Sequence, residues 1–330
     1  MGRRLTGLLA TFGVLCGCGS DDQGFAPAAE PAVSPPLEAT PGGRLLKLGA
    51  EPEGLVVDGR SGLAAAITRE PDRLVLVDLE GRRVTARLPL ASRGRHLSLA
   101  RPGGPVLVAA EIADELVSVA LPSGRTDSVG VGDFPHGAAA AAGKIFVANE
   151  GGDTLSVIED DELVATLEAP EQPGGIAATA GQVAVVAVAE RVLELYDAET
   201  LESLGSVPAG VGPTHVVTDS GRAYVADTEG DELLVFDLGA EPRLIASAPA
   251  PGTPYGIAID PVRDRLWLTL TATNEAAEYS IAGGEPKLIA SHATIRQPNT
   301  VAVDPRTGDA IVAGRTAAGP LQRIEPTEAP

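Results

Sequence analysis

The stretch PHGAAAAAGKIFVANEGGDTLSVIEDDELVATL, residues 135–167, decides the fold. Gly137 to Ala140, Lys144 to Ala148, Thr154 to Ile158 and Glu162 to Leu167 are short, mostly apolar runs, too short for helices and right for strands. Asn149-Glu150-Gly151-Gly152-Asp153 has the composition of a hairpin turn between the second and third runs. No stretch of the chain shows sustained 3.6-residue spacing with helix caps, so predominantly helical folds are excluded.

The stretch is one copy of a repeat. Its mark is a Pro, two residues and an apolar strand start, and it recurs at Pro52-Glu53-Gly54-Leu55, Pro173-Gly174-Gly175-Ile176, Pro213-Thr214-His215-Val216, Pro254-Tyr255-Gly256-Ile257 and Pro298-Asn299-Thr300-Val301. A degenerate copy, Gly94-Arg95-His96-Leu97, fills the double gap after Pro52. From Pro135 onward the spacings are 38, 40, 41 and 44 residues, the length of one four-stranded propeller blade. Residues 43–326 number 284 and hold seven periods of about 41. The expected fold is therefore all-β, a seven-bladed β-propeller of four-stranded blades over residues 44–328. The last copy has only three strands, and Arg44-Leu45-Leu46-Lys47-Leu48 is a strand without a blade. It is expected to complete the seventh blade and close the ring, which removes exposed sheet edges.

Lys144 to Ile158 resembles the YVTN-type propeller repeat, a strand ending in Asn followed by a turn and a second strand, and so do Arg222 to Asp227 with Leu233 to Asp237. The resemblance implies the same fold. It leaves activity open, because related propellers include lactonase-like enzymes, DNA binders and scaffolds.

The beginning of the chain reads as an export signal. Arg3 and Arg4 precede an apolar run from Leu5 to Leu15, too short to span a bilayer core of about 30 Å. Leu15-Cys16-Gly17-Cys18 resembles the lipobox of bacterial lipoproteins, which implies a signal peptide at 1–17 and lipidation of Cys18. Both cysteines lie here, so the exported domain has no disulfide. Residues 18–43, with Pro27, Pro31, Pro35, Pro36 and Pro41, read as a stiff, extended tether. The expected location is the cell envelope, extracytoplasmic and lipid-anchored, with the membrane as one partner through the N-terminal lipid.

Charge narrows the other partners. With 45 acidic against 25 basic residues the net charge is -20, which repels nucleic-acid phosphates and excludes DNA or RNA. Aromatics are 3% of the chain, too few for stacking platforms, which disfavours carbohydrate and single strands. The Gly-x-Ser-x-Gly elbow, the His-Glu-x-x-His pair, the Cys-x-x-Cys pair and the EF-hand loop are all missing, so no catalytic residue is assigned.

In a propeller the blade connectors and the turns between second and third strands open on one face, around the channel mouth. That face collects His96, His136, His215, Asn149, Glu150, Tyr255 and Asn299, the candidate binding residues. Imidazole, amide and carboxylate groups in a ring could hold a divalent cation, although no metal is assigned. Asp72, Asp114, Asp153, Asp231 and Asn274 recur at one position, two residues before a strand, and read as turn caps. The functional expectation is a binding or scaffold module for a solute or an envelope protein. The alternative is a lactonase-like or other metal-assisted hydrolase at the channel mouth.

Overall fold

The computed structural model describes residues 28–38, 40–179 and 181–328. The expected signal peptide at 1–17 and the expected lipidation site Cys18 lie outside the described residues. Among the described residues, twenty-eight strands form seven separate four-stranded antiparallel sheets, each running from an inner to an outer strand. The β-propeller expected from the repeat is the fold observed. Blades one to six take their strands consecutively, within residues 51–89, 97–130, 135–168, 173–208, 213–249 and 254–293. The seventh combines Pro298–Val303, Ala310–Gly314 and Pro320–Ile324 with Arg44–Lys47 as its outer strand. Leu46 sits opposite Leu321 in that pairing, and the Leu48 amide donates to Gly319 O at 2.8 Å. The ring therefore closes through residues at opposite ends of the chain.

Alanine, valine and leucine line the faces by which neighbouring blades pack on one another. Blades four and five, for example, interleave Ala184, Val186 and Leu193 with Val225, Leu234 and Phe236. The seam between blades two and three has the smallest buried cluster among the described residues. Its buried cluster is only Leu107, Leu116, Ala138, Val147 and Ile158, and the degenerate second repeat gives an inner strand of three residues, Leu97–Leu99.

Each repeat Pro has a mechanical role. It opens the inner strand in five blades and stands second in blade one, where its missing N–H is harmless, and in all six the ladder register shifts directly after it. A bulge at that point re-aims the next side chains toward the ring axis.

The recurring acidic residues prove to be blade-to-blade staples, one residue ahead of the strand rather than two. Asp114, Asp153, Asp231 and Asn274 all have positive φ, between 50° and 56°. The side-chain oxygen of each accepts the amide of the residue before the next blade's Pro: Phe134, Gln172, Thr253 and Gln297. Those four acceptors' partners also have positive φ, from 52° to 58°. Asp72 keeps only the backbone part of the pattern, its carbonyl accepting Leu90 N–H. Blade four carries Arg191 at this position, and Asp227 of blade five takes over by accepting the amides of Val211 and Gly212.

Residues 28–38, read from sequence as part of the tether, are extended and packed against the upper face. Ser34 is 1% exposed, and its hydroxyl donates to Thr271 O at 2.5 Å. Proline keeps the segment out of any ladder, so blade side chains satisfy its backbone instead.

Candidate functional site at the channel mouth

Two rings of residues define the mouth. The residue after each repeat Pro gives Glu53, His136, Gly174, Thr214, Tyr255 and Asn299, with Arg95 standing at this position in blade two. The next residue gives Gly54, His96, Gly137, Gly175, His215, Gly256 and Thr300, which line a central cavity of about 120 Å³. Glycine dominates the second ring because neighbouring blades crowd it. A Cβ on Gly54 would stand 2.3 Å from Arg95 O, and one on Gly175 would stand 2.7 Å from Thr214 O. His96 and His215 are the two bulky polar exceptions.

The rings and the blade-three turn that carries Glu150 bring five candidate residues into one continuous array. Glu150 Oε2 lies 2.7 Å from His136 Nδ1, and His136 Nε2 lies 2.8 Å from His96 Nε2. The His96 and His215 rings are 4.6 Å apart, edge to face, and the His215 and Tyr255 rings are 4.4 Å apart in the same manner. His96 and His136 are 40 residues apart in the chain and come from adjacent blades. His215 comes from across the ring, at the equivalent position of blade five.

Electrostatics bear on the charge of Glu150, His96 and His215 in this array. Burial works against the Glu150 carboxylate, yet His136 and Arg95 hold it below the usual range. His136 therefore donates from Nδ1 to an ionised carboxylate. Burial first, then the neighbouring His136, His215 and Arg95, drive His96 well below the ordinary imidazole value. Burial, His136 and Arg95 likewise lower His215, to about 3. Both rings keep some surface toward the channel, but protein surrounds them closely enough to hold them neutral. His215 Nδ1 has no hydrogen-bond partner among the described residues. The His215 ring lines the cavity, while its unpaired Nδ1 is itself buried, so hydrogen-bonding capacity stands unused at the cavity wall.

A charged collar surrounds the imidazoles. Glu111, fully buried, bridges Arg93 and Arg95 at 2.8 Å each, and Glu53 stands 3.0 Å from Arg315 and 3.3 Å from Arg69. Burial raises the Glu53 carboxyl against those cations. It also raises the Tyr255 hydroxyl, with Glu30 and Glu53 adding to the effect.

Two sequence candidates stand apart from the array. Asn149 is fully buried and donates to Thr154 Oγ1 and Ser156 Oγ, both at 3.0 Å, inside its own blade. Asn299 accepts from Gln297 Nε2 at 3.0 Å, and its own Nδ2 has no partner among the described residues. Arg95, Glu53 and Arg315 were missed by sequence reading. Aligning the repeats offers the signal for the first two, since they share the register of His136.

The geometry does not favour a cation among these groups. His96 and His136 turn their Nε2 atoms onto each other, and His136 spends Nδ1 on Glu150. Among the described residues no three His, Cys, Asp or Glu side chains converge as metal ligands would.

No protein-family model and no curated protein matches this chain. Solved structures do. Hydrazine synthase from Kuenenia stuttgartiensis superposes with a TM-score of 0.73 at 14% identity, covering 88% of this chain and 99% of that one. Virginiamycin B lyase from Staphylococcus aureus gives 0.70 at 14%, over 86% and 99%. A chain of the mitotic checkpoint complex gives 0.74 at 12%, over 94% and 100%. At such identities the likeness is one of fold.

Proposed function

We propose that this propeller is a binding module of the cell envelope, held at the membrane by a lipid on Cys18, that takes a solute or a segment of an envelope protein at its channel mouth. The YVTN-type repeat resemblance and the lipobox-like start support the placement. The observation that carries the binding reading is the array Glu150, His136, His96, His215 and Tyr255 beside the central cavity, with His215 Nδ1 unpaired. Burying an unpaired polar nitrogen costs on the order of 1–3 kcal/mol, a cost that a hydrogen-bonding ligand removes.

A thermal-shift screen with small carboxylic acids, amides and esters tests this reading. Compounds should raise the melting temperature of the wild-type protein and leave a His96→Ala, His215→Ala double variant unmoved. A screen in which every hit stabilises both proteins equally would overturn it.

A second reading is general acid–base catalysis, favoured by the relay from Glu150 through His136 to His96. One structural neighbour is a catalytically inactive variant of virginiamycin B lyase, with a histidine replaced by alanine, in complex with quinupristin. Turnover of an ester or amide hit, lost in Glu150→Gln with binding retained, would select this reading over simple binding.

A further inference from the structure

The upper rim across blades five to seven is already occupied by peptide. Residues 28–36 run over it without joining any sheet, and blade side chains read their backbone. Thr271 Oγ1 accepts the Ala32 amide at 3.0 Å. Gln297 reads both sides of one peptide unit pair, accepting from Ser34 N at 2.9 Å and donating to Ala32 O at 2.8 Å. Arg296 Nε donates to Ser34 O at 3.2 Å, and Asn274 Nδ2 donates to Pro35 O at 3.0 Å. Ala29 and Ser34 are buried, while Val33 is 86% exposed.

These contacts read backbone and small side chains, with Pro31, Pro35 and Pro36 presetting the extended conformation. That is how grooves recognise polyproline-like ligands: a low-entropy chain whose carbonyls meet fixed side-chain donors. We propose that this rim is a peptide-recognition groove for an extended, proline-spaced segment of a partner protein, with residues 28–36 as its resident occupant in cis.

The strap is joined to the propeller through residues 37–43, so its effective concentration at the groove is in the millimolar range. With an intrinsic Kd of about 10 µM for the strap itself, a competing peptide would then bind the wild-type protein about 100-fold more weakly than an open groove. Exchange would also withdraw Glu30 from the neighbourhood of Tyr255, which ties the groove to the mouth.

The test uses the full chain and a synthetic peptide of residues 27–38. Ala29→Glu with Ser34→Leu dislodges the strap by forcing bulk into two buried positions and leaves the groove intact. The peptide should bind this variant at least tenfold more tightly than the wild type, and Gln297→Ala added to it should abolish binding at an unchanged fold. Binding to neither protein, or binding indifferent to Gln297, overturns the proposal. Hydrogen exchange of the wild type gives an independent reading. The Ala32 and Ser34 amides should be protected, and free exchange at both would equally overturn it.

Discussion

His96 Nε2 and His136 Nε2 stand 2.8 Å apart, so the two imidazoles hold one proton between them. Glu150, 2.7 Å from the far nitrogen of His136, sets the direction of that bond. In the tautomer that leaves both imidazoles uncharged, His136 donates to Glu150 from Nδ1 and accepts from His96 at Nε2. His96 is then left with Nδ1 as its acceptor nitrogen. The pair is polarised by a carboxylate that belongs to the turn of blade three, while the base it creates belongs to blade two.

Replacing Glu150 with Gln keeps the size and removes the anion. The buried His136 loses a charged acceptor, and stability should fall by about 1–3 kcal/mol. Ring nitrogen shifts in NMR should change for His96 as well as His136, although Glu150 touches only the latter. A response confined to His136 would show that the relay is not coupled.

Acid should weaken the fold through the mouth. The unfolded chain protonates its histidines from about pH 6.5 downward, but His215 is held neutral in the fold to about pH 3. The unfolded state binds more protons throughout that window, so stability falls as pH drops across it. Glu150, lowered in the fold, acts in the same sense at lower pH, and Glu53, raised by burial, opposes it. His215→Asn should flatten the slope of melting temperature against pH between 6.5 and 4.

The blade staples should be separable from the site. Asp153→Ala loses the acceptor for the Gln172 amide and leaves alanine at φ 50°, which should cost about 1–2 kcal/mol. Asp153→Asn should be nearly neutral, because Asn274 does the same task in blade six and asparagine tolerates that φ. Urea denaturation of the two variants checks both.

Ring closure depends on a few residues near Leu48, which is 2% exposed and packs in the cluster shared by blades seven and one. Leu48→Ala should cost about 2–4 kcal/mol. Deletion through Leu48 also strips the outer strand from blade seven, and that protein should aggregate. Deletion through residue 38 removes only the strap and should lower the melting temperature modestly.

If Cys18 is lipidated, the wild-type protein should partition into detergent phase and Cys18→Ser should remain aqueous, because multiple acyl chains anchor stably. Equal partitioning would remove the membrane from the proposed function.

The blade count, the four-strand composition of a blade and the closing strand were legible because each is a local pattern repeated along the chain. A short apolar run, a Gly-rich turn and a Pro that from Pro135 onward recurs at 38 to 44 residues need no knowledge of what lies opposite. The sequence also placed His96, His136 and His215 at the mouth, since the repeat register says which end of each inner strand they occupy. What it left undecided is partnership. His96 meets His136 of the next blade and His215 of a blade across the ring because closure forces inner strands together at the axis, over separations that carry no local signal. Asn149 shares the sequence face of Glu150, but the pleat turns it into the blade, so one neighbour joins the array and the other does not. The strap shows the limit most plainly. Proline and alanine told that residues 28–38 would be extended, yet Ser34 finds Thr271 237 positions away. Only the closed ring supplies the side chains that satisfy a backbone proline has barred from any sheet.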